Sequence, residues 1–226
     1  MLRLLANQKL LFIGDSVTDG GRTRPDGEGL FDALGKSYPS FVDALLETTY
    51  PERAIRVVNQ GNSGNTVRDL AARWETDVLA HRPDWLSVCI GINDVWRQFD
   101  QPRRPEIAVP LDEYAATLSR LCCETRPVLA GGLVLMTPFY IEPNPADAMR
   151  ARMDEYGAVV RRIAAENGAV CVDTQAAFDA ALRHRHSAAL AWDRIHPNAA
   201  GQMILAKAFL DAVGFEWDGE GRETNF

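Results

Sequence analysis

The chain has 226 residues, of which 46% are hydrophobic and 24% charged, as in an ordinary globular protein with a substantial core. Its formal net charge is −7 with no basic cluster to offset it, which argues against binding to nucleic acid or to an anionic membrane. No stretch is long and apolar enough for a transmembrane helix, and the first residues lack the apolar core of a secretion signal. We therefore expect one cytoplasmic domain over residues 1–226.

Five short apolar runs predict buried β-strands. In chain order they lie at 10–13, 55–59, 85–90, within 128–136, and at 169–172. Apolar residues recur at helical spacing at 40–48, 67–81, 111–125, 147–166 and 198–213. Strands that alternate with helices favour a parallel sheet covered by helices on both faces.

Long connections are predicted at 17–38, 93–110 and 137–146. Loops of that length in a compact domain tend to carry function, which makes them the first places to look for a site.

Two segments at opposite ends of the chain together supply the groups of a nucleophilic serine site. Gly14-Asp15-Ser16 places a serine just past the first predicted strand, and Asp193-Arg194-Ile195-His196-Pro197 offers an acid close to a histidine. A serine hydroxyl becomes a good nucleophile when an imidazole takes its proton and a carboxylate orients that imidazole. The combination favours ester hydrolysis through an acyl-serine.

Segments of glycine and polar residues also follow the second and third predicted strands, at 61–66 and at Asn93-Asp94. If the strand order is 2-1-3-4-5, these segments and Ser16 face one crevice at the carboxyl edge of the sheet. The backbone N–H groups of Ser16 and Gly64 and the side-chain amide of Asn93 would then supply three donors to an oxyanion. Glycine at 64 is expected to allow close backbone approach, and Pro197 is expected in the first turn of the last helix.

Together these segments resemble the four ordered blocks of the SGNH (GDSL-type) hydrolases. The blocks are Gly14-Asp15-Ser16, Gly64, Gly91-Ile92-Asn93-Asp94 and Asp193-x-x-His196-Pro197. The resemblance implies a flavodoxin-like, three-layer α/β/α sandwich with a five-stranded parallel sheet. It also implies that Ser16 is the nucleophile, His196 the base and Asp193 the residue that orients His196. Ser16, Gly64 and Asn93 would form the oxyanion hole. Ile92 departs from the pattern, since many members have a second glycine there.

Longer stretches are similar to bacterial intracellular acetylxylan esterases of this family. They are Phe12-Ile13-Gly14-Asp15-Ser16-Val17-Thr18-Asp19, Gly91-Ile92-Asn93-Asp94-Val95-Trp96-Arg97-Gln98, Met136-Thr137-Pro138-Phe139-Tyr140-Ile141-Glu142-Pro143, Val172-Asp173-Thr174-Gln175-Ala176-Ala177-Phe178 and Ala191-Trp192-Asp193. This resemblance implies removal of acetyl groups from the xylose units of short xylo-oligosaccharides.

Trp96, Arg97, Tyr140 and Trp192 lie close in sequence to the predicted catalytic segments. Such side chains could stack against or hydrogen-bond a sugar, or wall an acetyl pocket. Packing under the loops is the alternative for each. The cysteines show neither zinc spacing nor a Cys-x-x-Cys pair, and His184 and His186 have no third ligand nearby, so no metal or cofactor is expected.

The sequence thus predicts a serine carbohydrate esterase that acts on a small acetylated carbohydrate, and we expect a homo-oligomer. One alternative keeps the mechanism but changes the substrate to lipid or thioester acyl groups. The polar run at 22–29 gives weak evidence against the apolar groove that long chains need. A second alternative is an inactive flavodoxin-like binding protein, against which the intact set of Ser16, Asn93, Asp193 and His196 argues.

Overall fold

The sheet of the protein is parallel throughout. A computed structural model describes residues 1–217. Its strands are β1 (Lys9–Gly14), β2 (Arg56–Gly61), β3 (Trp85–Cys89), β4 (Gly132–Met136) and β5 (Val170–Val172). Every neighbouring pair runs parallel, and the order across the sheet is β2-β1-β3-β4-β5. The predicted order 2-1-3-4-5 is confirmed, and it puts the reversal of strand order beside β1 and β3.

Helices cover both faces of this sheet. The α-helices in the described part of the chain are α1 (Ser16–Asp19), α2 (Tyr38–Thr49), α3 (Val67–Asp77), α4 (Ile92–Asp100), α5 (Leu111–Thr125), α6 (Ala148–Glu166), α7 (Thr174–Leu182) and α8 (Ala199–Ala212). One layer contains α2, α7 and α8, in which α8 contacts both of the others. The other layer contains α3, α5, α6 and α4, each packed against the next in that order. The predicted three-layer α/β/α sandwich is confirmed.

The two layers enclose a core on each side of the strands. Phe12 in β1 packs its ring against Tyr38 of α2 and Phe209 of α8, with centroids 5.4 and 5.0 Å apart. In the other layer, Trp74 of α3 donates from Nε1 to Thr125 Oγ1 of α5 at 2.8 Å, which satisfies a buried polar pair. Strands covered on both faces need nearly continuous apolar sequence, as the predicted runs have.

Two local predictions need correction. The stretch 93–110, predicted as a connection, begins with the helix α4, in which Ile92 and Val95 are buried at helical spacing. The fourth strand, Gly132–Met136, lies within the predicted range 128–136, and residues 126–128 before it form a 3₁₀ turn that contains Pro127. The predicted helix 67–81 ends as an α-helix at Asp77 and is followed by a separate 3₁₀ turn. The single domain over 1–226 stays a prediction, and residues 218–226 lie outside the described part.

Candidate active site

Ser16 is presented at the carboxyl edge of β1 by a tight strand-to-helix turn. It is the first residue of α1, and Asp15 caps this helix by accepting from the Val17 N–H at Oδ1, 2.9 Å away. Any Cβ at Gly14 would lie 2.3 Å from the Cys89 carbonyl oxygen, so only glycine fits at the end of the strand. The turn therefore fixes the position of the half-buried Ser16 side chain.

A continuous chain of hydrogen bonds links Ser16 to His196 and Asp193. Ser16 Oγ lies 2.8 Å from His196 Nε2, and His196 Nδ1 lies 2.6 Å from Asp193 Oδ2. The other carboxylate oxygen, Oδ1, accepts from the backbone N–H groups of Ile195 and His196 at 2.9 and 2.8 Å. Asp193 therefore both shapes its own loop and orients the imidazole.

The loop that carries Asp193 and His196 is also held by contacts with residues outside the loop. Arg194 has φ of +63°, and its carbonyl accepts from the Ile141 N–H at 2.9 Å. Its guanidinium forms an ion pair with the nearly buried carboxylate of Glu142. The connection at 137–146 thus holds the segment between Asp193 and His196.

The prediction for Pro197 was wrong in detail. Pro197 precedes Asn198, the N-cap of α8, and so lies outside the first helical turn. It instead forms an isolated antiparallel bridge with Ala191. The bridge closes the Asp193–His196 loop at its base, so His196 is still held firmly.

Asp193 and Asp15 differ in charge state. Asp193 is partly buried, which disfavours its charged form, but hydrogen bonds from the His196 side chain and backbone hold the pKa of Asp193 below its usual range. Asp15 is fully buried, and that burial raises the pKa of Asp15 to about 7. Asp193 is therefore ionised at neutral pH, as an orienting carboxylate needs to be, while Asp15 is largely protonated below pH 7.

Two hydrogen bonds join the segments that carry Gly64 and Asn93, two of the predicted oxyanion residues. Asn93, which is 2% exposed, donates from Nδ2 to the Asn65 carbonyl oxygen at 3.0 Å. The Val67 N–H donates to Asp94 Oδ1 at 3.0 Å. These two bonds tie the loop that contains Gly64 to the start of α4.

Gly64 itself has φ of +84°, a conformation that favours glycine. A Cβ there would meet no atom of the described residues within 4 Å. Backbone conformation, rather than close approach of the protein's own atoms, is therefore what requires glycine at this position.

Asp19 helps to hold the loop that contains Gly64, and the sequence did not single this residue out. Its Oδ2 accepts from the backbone N–H and the hydroxyl of Ser63, at 3.0 and 2.7 Å, beside Gly64. Partial burial disfavours its charge, but the bonds from Ser63 and an ion pair with Arg24 keep the pKa of Asp19 below its usual value. The only sequence signal was its place three residues after Ser16.

The four predicted substrate contacts lie in different environments. The Trp96 ring meets His196 edge-on, with centroids 5.9 Å apart, and the Arg97 guanidinium lies 4.5 Å above Trp96. Tyr140 is half-buried, and its backbone is bonded to Gln175 on both sides. Trp192 is 92% exposed, although it directly precedes Asp193. Of these contacts, the one between Trp96 and His196 reaches the hydrogen-bonded series Ser16–His196–Asp193.

Within residues 1–217, no helix is long and apolar enough to cross a membrane. The same residues contain no group of three or more His, Cys, Asp or Glu side chains that could hold a metal ion.

Comparison with known proteins agrees with this geometry. The model of the GDSL-like Lipase/Acylhydrolase family matches residues 12–204. An acetylxylan esterase of Geobacillus stearothermophilus is 60% identical over 216 residues, which cover 96% of this chain and 98% of that protein.

Solved structures give the same relationship. The crystal structure of Axe2, an acetylxylan esterase from Geobacillus stearothermophilus, has 60% identity and a TM-score of 0.94 over 96% of this chain and 98% of that one. The crystal structure of LAE5, an alpha/beta hydrolase enzyme from the metagenome of Lake Arreo, Spain, has 53% identity and a TM-score of 0.93, with 95% and 99% covered.

A serine, a histidine and an aspartate bonded in series at the carboxyl edge of a parallel sheet are the arrangement of a serine hydrolase. The chain belongs to the GDSL-like lipase/acylhydrolase family. The predicted resemblance and the predicted class, a serine esterase, are confirmed.

Proposed function

We propose that this esterase removes acetyl groups from the xylose units of short xylo-oligosaccharides through an acetyl-serine intermediate. The observation that carries the proposal is the hydrogen-bonded chain Ser16–His196–Asp193, found in a protein 60% identical to an acetylxylan esterase. Ester hydrolysis of this kind needs an activated alcohol, a group that carries its proton and a carboxylate that fixes the imidazole. Ser16, His196 and Asp193 supply these three groups in that order.

In the proposed cycle, His196 Nε2 takes the proton from Ser16 Oγ as the oxygen attacks the acetyl carbonyl carbon. The tetrahedral oxyanion accepts hydrogen bonds from the N–H groups of Ser16 and Gly64 and from the Asn93 amide. The protonated His196 then gives its proton to the departing sugar oxygen. A water molecule, deprotonated by His196, attacks the acetyl-serine and releases acetate by the same route.

The neighbouring side chains have proposed roles in selecting the substrate. Trp96, edge-on to His196, narrows the space for the acyl group. Trp192, exposed beside Asp193, offers a flat apolar face on which a sugar ring can stack. Arg97 and Tyr140 are proposed to contact the sugar from the same rim.

Other expectations accompany this proposal. We propose a cytoplasmic homo-oligomer whose partner is a small acetylated carbohydrate rather than nucleic acid, and whose reaction uses no metal or cofactor. Light scattering on the purified protein measures the oligomeric state directly. Activity should survive prolonged treatment with a chelator, and loss that one divalent ion specifically restores would contradict the proposal.

The experiment that tests the function compares substrates and one nucleophile variant. Ser16→Ala should lower acetate release from acetylated xylo-oligosaccharides by roughly 10⁶, because the attacking oxygen is gone. Ser119→Ala on α5 is the matched control and should keep full activity. Near-wild-type turnover by Ser16→Ala, or phosphonate labelling of another serine, would contradict the assignment.

A substrate panel then separates the sugar proposal from its alternative. Acetylated xylosides should exceed butyryl and octanoyl esters in kcat/KM, after correction for leaving-group reactivity, because sugar contacts add transition-state binding. Trp96→Ala should raise the relative rate on butyryl esters by widening the acyl pocket. Preference for octanoyl esters, with no gain from xylose, would instead favour a lipid or thioester hydrolase.

A further inference from the structure

Arg97 makes a hydrogen bond that bears directly on the proposed oxyanion hole. It lies one helical turn after Asn93 in α4, and its Nη2 donates to Asn93 Oδ1 at 3.2 Å. The nitrogen of the same amide donates to the Asn65 carbonyl oxygen at 3.0 Å. Among the described residues, these two bonds occupy the amide oxygen and one of the two hydrogens on Nδ2, which leaves the second hydrogen for a ligand.

Arg97 is itself held by contacts that need no substrate. Its guanidinium pairs with Asp100 one turn further along α4, and its Cζ lies 4.5 Å above the Trp96 ring. The Arg97 side chain is only 20% exposed. The guanidinium is therefore a fixed group on the rim of the site rather than a mobile surface charge.

We propose that Arg97 is a positioning residue, which acts on the reaction through Asn93 by keeping the Asn93 amide turned with its nitrogen towards the oxyanion. A primary amide can rotate by half a turn, which would exchange its oxygen and nitrogen. A guanidinium has donors and no acceptor, so it binds the amide oxygen and excludes the rotated form, in which two N–H groups would face each other.

The charge of Arg97 adds a second effect. A cation that binds the amide oxygen draws electron density from the nitrogen and makes the remaining N–H a stronger donor. This effect matters most when negative charge appears on the substrate, so it should lower kcat when lost and leave KM almost unchanged. The role goes beyond sugar contact, and it rests on the proposed place of Asn93 in the oxyanion hole.

The test uses an aryl acetate, a substrate without a sugar, so that lost sugar contacts cannot affect the rate. Arg97→Ala should lower kcat about tenfold with little change in KM, since one hydrogen bond from a charged donor is lost. Arg97→Lys keeps the charge and should recover part of this loss. Arg120→Ala on α5, which breaks an exposed ion pair with Glu124, is the matched control and should leave kcat unchanged.

The decisive comparison is the double variant. If Arg97 acts through Asn93, Arg97→Ala should have no further effect on kcat once Asn93 is alanine. Independent, multiplying effects of the two substitutions would overturn the inference, and so would an effect of Arg97→Ala that appears only with acetylated xylosides. Unchanged kcat in Asn93→Ala alone would overturn the oxyanion assignment as well, which distinguishes the two failures. Thermal melting of each variant confirms that it is folded.

Discussion

Asp15 precedes the proposed nucleophile Ser16 and Asp193 is bonded to the proposed base His196, yet the fold puts the two carboxyl groups in opposite states. Asp193 lies at the partly exposed rim and is bonded to two backbone N–H groups and an imidazole, which keeps it ionised. Asp15 is fully buried, and one of its oxygens has no hydrogen-bond partner among the described residues. Burial raises its pKa to about 7.

The comparison shows that environment decides what each carboxyl group does. A second buried acid, Asp94, resembles Asp15: it caps a backbone N–H with one oxygen, has no described partner at the other, and burial raises its pKa to about 7. Asp193 is thus ionised beside His196, whereas Asp15 and Asp94 are largely neutral below pH 7. Asp15 and Asp94 each cap a backbone N–H and add little negative charge below that pH, while Asp19, bonded to Ser63, stays ionised.

The largest expected effect concerns Asp193. Asp193→Asn keeps an oxygen for the backbone N–H groups of the loop but cannot stabilise the imidazolium or fix the imidazole in the same tautomer. We expect kcat on an aryl acetate to fall by about 10⁴, with the fold intact. Asp112→Asn, an exposed change in the first turn of α5, is the control. A fall of less than tenfold would place the charge that serves His196 elsewhere.

The next effect is on stability as a function of pH. Burial raises the pKa of Asp15 in the folded protein to about 7, above its ordinary value of 3.8. The folded protein therefore binds the extra proton, and this contribution is complete below about pH 4 and is lost as pH rises through 7. Asp15→Asn removes the titrating group, so its unfolding free energy should decline less between pH 5 and 8, by on the order of a few kcal/mol. Denaturant unfolding of both proteins at several pH values measures this difference. If the unfolding free energies of wild type and Asp15→Asn changed in parallel with pH, the raised pKa of Asp15 would be contradicted.

A smaller effect on stability is expected at Asp94. Asp94→Ala leaves the buried Val67 N–H without its acceptor and should destabilise the protein by about 1–3 kcal/mol. Asp94→Asn keeps the acceptor and should cost much less at pH 6, where the native carboxyl is mostly neutral. Equal losses for both variants in thermal unfolding would show that the charge matters more than the hydrogen bond.

The smallest expected effect is on the kcat of Asp15→Asn, and it separates the roles of Asp15 and Asp193 directly. Asp15→Asn at pH 6 should keep kcat within about tenfold of wild type, because a neutral carboxyl and an amide have the same shape and can both accept from Val17. The kcat of Asp15→Asn should therefore exceed that of Asp193→Asn by about 10³. Steady-state kinetics on both variants provides the ratio, and comparable losses would remove the distinction between the two acids.

Much of the architecture was readable from the sequence because its signals are local. Apolar runs located the strands, and their alternation with helices led to the parallel sheet. The strand order was a hypothesis that fitted the fold implied by the resemblance to the SGNH hydrolases. The pairing of Ser16 with Asp193 and His196 was also predictable, since those residue types have one obvious chemical use together. The sequence does not predict the start of α4, although Ile92, Val95, Trp96 and Phe99 have helical spacing, because Asn93-Asp94 after a strand is also typical of a loop.

Other features depend on tertiary contacts that no local pattern encodes. The raised pKa of Asp15 results from complete burial, which the sequence Gly14-Asp15-Ser16 does not reveal. Gly131 and Gly132, at the start of the fourth strand, lie against the Trp85 ring, where a Cβ at Gly131 would be 2.0 Å from Trp85 Nε1. The bond from Arg97 to Asn93 likewise needs α4 to be known as a helix.

The hydrogen bond between Ser16 and His196 joins residues 180 positions apart. During synthesis the amino-terminal part of a chain emerges first, so the turn that presents Ser16 leaves the ribosome well before the loop of Asp193 and His196. Until that loop docks, the Ser16 hydroxyl is an ordinary alcohol without a base. Under the proposed mechanism, a chain that lacks the loop of Asp193 and His196 has no base for Ser16, so hydrolysis of a simple ester reports that folding has brought the two distant segments together.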